Sequence, residues 1–305
     1  MSTDTFIAAE WGTMRIRMRL LTSAGEIVEQ QVEDVRLADL DRAGKIARLR
    51  AMRTRWPDAA ETLWLAGMIG SPLGLETVPQ APCPIAPAAI AGHARRAACE
   101  ELQIMILPGL SCTSRFGDHD VLRGEEVAAA GLIDPERPEK ALLLSVPGMH
   151  GKWIELGATI ERFHSSMTVE IHHVLSEHSI LAPLMQAAPR DGDPFRDGLH
   201  RAVAGGGVAR LLFTARTAVL AGRYDEEAAA SYLWGVMIGA DIGENLAAAT
   251  GEERRCYVAG TSEIAALYRT ALNAVGMRAE LVDGDRISAL GFARLRHAHE
   301  RKDAR

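Results

Sequence analysis

Cysteine is scarce: Cys83, Cys99, Cys112 and Cys256 are the only four among 305 residues. None stands with another as Cys-x-x-Cys or at the spacing of zinc ligands, so the expectation is free thiols in a reducing compartment. Long apolar runs are missing too. No stretch approaches the roughly 18 apolar residues of a membrane-spanning helix, and the opening Met-Ser-Thr-Asp-Thr has no basic segment leading into an apolar one. A cytoplasmic protein with no membrane partner is the expectation. Positive charge is not in surplus, with 34 Lys and Arg against 40 Asp and Glu and a net charge of −6. That removes the electrostatic reason to expect a nucleic-acid partner and leaves small metabolites. The composition, 48% hydrophobic and 24% charged, is that of a globular chain of enzyme size and excludes general disorder. The length accommodates about two domains.

The stretch from Phe6 to Leu21 reads as strand, turn and strand. Its first strand is apolar on both faces and suits a buried position. The second alternates Arg15, Arg17 and Arg19 with Ile16, Met18 and Leu20, which predicts one wet, arginine-bearing face. Gly12 in the turn frees the backbone and would leave N–H groups uncovered for an anion; a hairpin with a polar tip is the plainer reading. A third strand follows from Ile27 to Val35, then a helix over 40–56 and a buried strand over 62–67 that ends in a glycine-rich loop. A helix is expected over 88–102, a strand over 104–107, a polar loop around 108–123 and a helix over 124–132.

Near residue 140 the plan restarts. A strand over 141–146, the turn Pro147-Gly-Met-His-Gly151, and strands over 152–156 and 159–166 repeat the meander. Helices are expected over 169–181, 225–250 and 262–274 and from about Arg286, with strands over 256–259 and 278–282. Two α/β halves of one plan, each opening on a glycine turn, are expected to face one cleft, where ligands bind beyond strand ends. Two independent domains of coincidental likeness are the alternative.

Phosphoryl transfer needs backbone donors around the phosphates, a carboxylate for the metal, and a base or positioning group beside the attacking hydroxyl. The turns at Glu10-Trp-Gly12-Thr13 and Pro147-Gly148-Met149-His150-Gly151-Lys152 are candidates. So is Gly260-Thr261-Ser262, at a positive helix start suited to ribose and phosphate. Arg123 could clamp a carboxylate at two points, and Glu125 or Glu126 could orient or deprotonate a hydroxyl; the plainer reading of these residues is an ordinary helix start. His172, His173 and His178 do not share a helix face, which argues against a metal site. Gly235, Gly239 and Gly243 do share one, which predicts close helix packing, while Asp241 and Glu244 rule out a lipid span.

With these blocks assembled, the chain resembles the 2-dehydro-3-deoxygalactonokinase family, sugar-acid kinases of the actin/hexokinase superfamily. The resemblance rests on Glu10-Trp-Gly12, Leu65-Ala-Gly-Met-Ile-Gly70, Ile106-Leu-Pro-Gly-Leu110, Leu122-Arg-Gly-Glu-Glu126, Val146-Pro-Gly-Met-His150 with Lys152-Trp153, Thr168-Val-Glu170 with His172-His173, and Ala259-Gly-Thr-Ser262. It implies two ribonuclease-H-like α/β domains with mixed sheets flanked by helices around a central cleft. Residues 1–138, with 286–305 returning to them, would form the substrate side, and 139–285 the nucleotide side. It further implies ATP and Mg²⁺ in the cleft and transfer of the γ-phosphate to the 6-hydroxyl of 2-dehydro-3-deoxy-galactonate, in galactonate catabolism. The partners would be the sugar acid and ATP, and a homodimer is admitted.

On that resemblance Glu10, Glu125 and Glu126 would be catalytic, with Glu10 organising the metal. Arg123, Gly124, Gly67 and Met68 would bind the sugar acid. Gly12, Thr13, Gly148, His150, Gly151, Lys152, Gly260, Thr261 and Ser262 would bind the nucleotide. The departures from the family pattern all fall in phosphate-side loops. Glu10 stands for the usual aspartate, and its extra methylene moves the carboxylate by about 1.5 Å, a displacement of the order that affects rate. Met14 and Arg15 replace hydroxyl and amide residues, Met149 replaces a threonine, and Val169 replaces a glycine. These losses frame a second reading, a non-catalytic relative that binds a sugar acid or a nucleotide.

Overall fold

The computed structural model describes residues 4–99, 101–134, 142–248 and 255–303. The chain divides into two compact units, one of Met1–Ala141, Ile154–His164 and Asp283–Arg305, the other of Leu142–Trp153 and Ser165–Val282. In the first unit, β1 (Thr5–Trp11), β2 (Arg15–Thr22) and β3 (Ile27–Asp34) form an antiparallel meander. Helix α1 (Arg42–Arg55) begins where the Asp41 carboxylate accepts the Gly44 N–H, an N-cap. Then come β4 (Thr62–Gly67), β5 (Ala81–Pro82), α2 (Pro87–Ala91), β6 (Arg95–Arg96), β7 (Gln103–Ile106), β8 (Leu110–Thr113), β9 (His119–Leu122) and α3 (Glu125–Leu132). The main sheet runs β3-β2-β1-β4-β7-β6, with β1, β4 and β7 parallel. Strands β1 and β4 lack polar alternation because both their faces are covered. On one face Leu49, Met52 and Trp56 of α1 lie in a single core with Ile7, Leu63 and Ile104.

Three local expectations change. The helix over 88–102 stops at Ala91, and the chain returns as β6, antiparallel to β7. Gly92 weakens the alanine-rich run, and pairing with the open edge of β7 wins over helix propensity. The segment around 108–123 is a hairpin, with β8 and β9 joined to β5 in a small sheet of order β5-β8-β9. On β2 the predicted wet face is only partly wet, because Arg19 is fully buried.

A five-stranded sheet comprises β10 (Leu142–Val146), β11 (Gly151–Leu156), β12 (Ile160–Ser166), β13 (Arg255–Ala259) and β14 (Arg278–Val282). Its order is β12-β11-β10-β13-β14, with β10, β13 and β14 parallel. This is the order of β3-β2-β1-β4-β7, so the ribonuclease-H-like plan occurs twice. The helices of the second unit are α4 (Thr168–His178), α5 (Asp193–Val203), α6 (Val208–Leu220), α7 (Glu226–Ala248) and α8 (Glu263–Ala274). Gly235 and Gly239 of α7 meet α5 so closely that a Cβ at either would lie 2.0 Å from the Phe195 carbonyl oxygen or 2.7 Å from that of Leu199. The small-residue face read in the sequence is therefore a helix crossing.

Helix α9 (Gly284–Asp303) belongs to the first unit. It crosses α3 at Gly131 and Gly291, where an added Cβ would come within 1.7 Å of the Ile287 oxygen or 1.9 Å of the Val127 oxygen. Arg294 fastens the crossing by donating to the Ala130 and Gly131 carbonyl groups at 3.0 and 2.7 Å. No helix among the described residues is long and apolar enough to cross a membrane.

Candidate active site

In the first unit the register places Glu10 beside Ala66 and Trp11 beside Gly67, at the C-terminal ends of two parallel strands. Gly67 has φ +89°, and a Cβ there would lie 2.6 Å from the Trp11 carbonyl oxygen, so only glycine fits. The start of α3 abuts this point, since a Cβ on Gly124 would lie 3.6 Å from the Gly67 Cα. Thus Glu10, Gly67, Gly124, Glu125 and Glu126 come together, although up to 116 positions separate them in sequence.

The two glutamates of α3 differ in environment. Glu126 is fully buried, and its Oε2 accepts the Gly124 N–H at 2.5 Å while Oε1 has no partner. Burial, reinforced by the neighbouring Glu125 charge and more weakly by Glu10, pushes its carboxyl up to about 8. Glu125 is half-buried at the first position of the helix. Arg123 donates from Nη2 to the Val78 carbonyl at 2.6 Å, and its Nη1 is buried without a partner. Desolvation lowers the pKa of this guanidinium, a shift the charge of Glu126 opposes. The side chain of Met68 packs against the first core.

The first turn departs from its predicted chemistry. The Gly12 N–H is not open to a ligand, because it donates to the Arg15 carbonyl at 2.8 Å, and Gly12 is not in the left-handed region. Thr13 is exposed, and its carbonyl accepts the Leu37 N–H. Glu10 is also engaged: Arg19 Nη1 donates to Oε2 at 2.5 Å and the Ser288 hydroxyl to Oε1 at 3.2 Å. Arg19 and Ser288 were not among the residues read as functional, because alternation along β2 assigns Arg19 to solvent.

In the second unit, the turn after β10 and the turn after β13 lie at the same end of neighbouring parallel strands, Ser145 being paired with Val258. Gly148 and His150 lie in the first of these turns, and Gly151 and Lys152 begin β11 directly after it. Lys152 is buried, and its ammonium group donates to the His150 carbonyl at 3.2 Å with no carboxylate partner among the described residues. His150 meets Glu170 at 2.7 Å, and a Cβ on Gly148 would meet open space. At the second turn Gly260 has φ +125°, and its N–H donates to the Val282 carbonyl. Ser262 caps α8 by accepting the Ala265 N–H at 3.2 Å, and Thr261 is exposed. The free donors at this turn are therefore the first N–H groups of α8, not those of Gly260. Behind the turns, Trp153 Nε1 donates to the buried Asp241 at 2.9 Å, as does the Tyr268 hydroxyl. His172 stacks on Trp234 at 3.8 Å, and burial holds its imidazole down to about 4.

The metal expectation was tested against these donors. No group of three or more His, Cys, Asp or Glu side chains that could hold a metal ion occurs among the described residues. Mg²⁺ can be bound by one carboxylate with water and substrate phosphates. At Glu10, however, that carboxylate is already neutralised by a buried guanidinium. As placed, Glu10 offers a metal ion no unengaged carboxylate oxygen.

Comparison with known proteins bears on the whole of this arrangement. A family described as 2-keto-3-deoxy-galactonokinase matches residues 10–295. The 2-dehydro-3-deoxygalactonokinase of Escherichia coli K12 is 28% identical over 297 residues, covering 97% of this chain and 99% of the relative. A relative from Rhizobium meliloti assigned the same activity is 28% identical over 294 residues, covering 94% and 95%. A crystal structure from Sinorhizobium meliloti, also assigned as a 2-dehydro-3-deoxygalactonokinase, superposes with a TM-score of 0.87 at 26% identity, over 97% of this chain and 99% of that one.

Proposed function

The chain belongs to the 2-keto-3-deoxy-galactonokinase family, and from that premise we propose that it transfers the terminal phosphate of ATP to the 6-hydroxyl of 2-dehydro-3-deoxy-galactonate in the cytoplasm. The observation that carries the acceptor side is Arg123, whose Nη1 is buried without a partner beside the start of α3. A half-satisfied guanidinium is costly unless a ligand completes it, and the substrate carboxylate does so. Glu125, half-buried at the helix start, takes the proton of the attacking hydroxyl. Glu126 is wholly buried and already holds the Gly124 amide, so it positions the loop. Gly124 lets the substrate approach bare backbone beside Gly67, with Met68 as an apolar wall.

On the donor side, Lys152 supplies a cation without a competing carboxylate, and phosphate oxygens are its complement. Gly148 and Gly151 keep that turn open, and His150 flanks it. Gly260, Thr261 and Ser262 present the positive start of α8 to the ribose and phosphate groups. Thr13, next to Gly12, offers a hydroxyl on the first hairpin. The second reading, binding without catalysis, rests on the loss of hydroxyls from the two turns that carry Met14 and Met149. Both side chains are exposed, at 61% and 47%, so neither plugs the interior of its turn. No step of this reading is routed through Glu10 and a metal.

The test is ADP release from ATP with and without 2-dehydro-3-deoxy-galactonate, for the parent chain and for Arg123→Met. The parent is expected to release ADP only with the acid. The variant is expected to raise KM by about 10- to 100-fold, since a hydrogen bond to a charged group contributes roughly 1.5–3 kcal/mol. Absence of acid-dependent turnover in the parent ends the proposal, and an unchanged KM in Arg123→Met removes Arg123 from it.

A further inference from the structure

Arg19 is a buried charged side chain of the first unit with all three of its guanidinium nitrogens engaged. Its side chain has 0% exposure. Nη1 donates to Glu10 Oε2 at 2.5 Å, Nη2 to Asp285 Oδ1 at 2.6 Å, and Nε to Gln30 Oε1 at 2.8 Å. Gln30 Nε2 donates to Asp285 Oδ2 at 3.0 Å, Arg17 Nε lies 3.4 Å from Asp285 Oδ1, and the Ser288 hydroxyl completes Glu10. Two cations, Arg17 and Arg19, therefore face two anions, Glu10 and Asp285. The cluster is electroneutral and has no surplus negative charge to offer a divalent ion.

The strand register explains why the acidic residue is a glutamate. Glu10 lies directly opposite Arg17, while Arg19 lies opposite Ala8. Glu10 and Arg19 are thus diagonal neighbours on one face of the hairpin, a separation of about 7–8 Å between backbones that only long side chains span. An aspartate at position 10 would stop about 1.5 Å short of the guanidinium. The length of the glutamate carries its carboxylate to Arg19.

We propose that Glu10 is a positioning residue, the acidic partner of the buried Arg19 and not a ligand of the divalent cation, and that Arg19 locks the first hairpin to the start of α9. The lock joins β1, β2, β3 and α9 through one guanidinium, so it sets the height of the Trp11-Gly12-Thr13 turn against the chain's last helix. It stands on contacts within the first unit. Only its metal arm rests on the kinase reading.

Two measurements test it. The first is thermal melting of the chain without nucleotide or metal, for Glu10→Gln, Glu10→Asp, Arg19→Met and the Glu10→Gln/Arg19→Met pair. Each single substitution at Arg19 or Glu10 is expected to lower Tm by more than about 5 °C, and the pair by clearly less than the sum, because partners in one network couple. Additive losses, or a Tm within about 1 °C of the parent in Glu10→Asp and Glu10→Gln, overturn the lock. Should Arg19→Met fail to fold, the two Glu10 variants decide alone.

The second is the Mg²⁺ concentration that half-saturates ATP binding, read by calorimetry on the parent and Glu10→Asp. A value within twofold is expected. A tenfold change in either direction assigns Glu10 to the metal and overturns the proposal. If the chain binds no ATP, the kinase reading fails while the melting arm still decides whether Arg19 is the lock.

Discussion

Glu126 shows how much one ionisable residue can bias a fold. Its carboxyl is fully buried, accepts one N–H, leaves one oxygen without a partner and is pushed up to about 8 by desolvation first and the adjacent Glu125 charge second. Between the ordinary carboxyl value near 4.5 and about 8, the folded chain holds a proton there that the unfolded chain has released. Stability from this residue is therefore present below about pH 4.5 and is lost as pH rises through 8. The slope approaches about 1.4 kcal/mol per pH unit within that window. Urea unfolding at pH 5.5 and pH 9 is expected to show Glu126→Gln gaining a few kcal/mol relative to the parent at the higher pH, because the amide has no proton to lose. An equal difference at both pH values would mean that Glu126 ionises normally. Neither this burial nor that of Arg19 was legible in the sequence. Glu126 stands beside Glu125 in an apparently ordinary helix start, and Arg19 occupies the polar phase of an alternating strand. In both cases the deciding fact is which distant backbone lies above the side chain.

Two helix crossings hold the layers in place, and in each the contact is backbone against backbone. At the α3–α9 crossing, Cβ atoms on Gly131 and Gly291 would lie 1.7 and 1.9 Å from carbonyl oxygens, and at the α5–α7 crossing one on Gly198 would lie 2.3 Å from the Tyr232 oxygen. No rotamer relieves a Cβ, so the helices must move apart and open voids along their whole contact. Gly291→Ala and Gly198→Ala are each expected to cost about 3 kcal/mol or more in urea unfolding, the range of severe overpacking. Gly148→Ala, where a Cβ meets open space outside the left-handed region, is expected to change stability by less than about 0.5 kcal/mol. A loss at Gly148 equal to that at Gly291 would show that crowding at the crossing is not what matters. The elements themselves were largely legible where hydrophobic pattern is long and regular: β1, β4, α7 and β14 fall within a residue or two of their readings. The glycine face of α7 was legible for the same reason. The short strands β5, β6, β8 and β9 were not, because two to four residues carry no period to read. Pairing creates them, β6 with the following β7, β8 with the following β9 and β5 with β8, and an alanine-rich segment yields its second half to that pairing.

At the scale of the molecule, one strand order occurs twice, and each sheet ends in a turn pair that bears a different chemistry. The first has Gly67 at the end of β4, against which the β9–α3 junction with Arg123, Gly124 and Glu125 packs; the second carries Lys152, Gly148 and the start of α8. This division predicts that the two ligands leave separable footprints. With 2-dehydro-3-deoxy-galactonate alone, amide hydrogen exchange is expected to slow over residues 66–71 and 122–127. With ATP alone it is expected to slow over 146–152 and 260–265. A ligand at 100 times its Kd stabilises what it binds by about 2.7 kcal/mol, which is roughly a 100-fold slowing for amides that open only with that local unit. Amides released by fraying, such as those at the last turn of α9, should keep their rates. If ATP protected residues 66–71 and 122–127 while leaving 146–152 untouched, the donor and acceptor roles of the two sheets would be reversed. If each ligand slowed every amide alike, the two cores would open as one cooperative body, and the assignment of roles would have to rest on the Arg123 kinetics. The separate-footprint outcome follows from the structure because each turn pair is anchored in its own core, Ile7, Leu63 and Ile104 behind the first and Leu143, Cys256 and Val258 behind the second. Ligand energy delivered to a turn is transmitted first to the strands that end in it, and those strands differ between the two sheets.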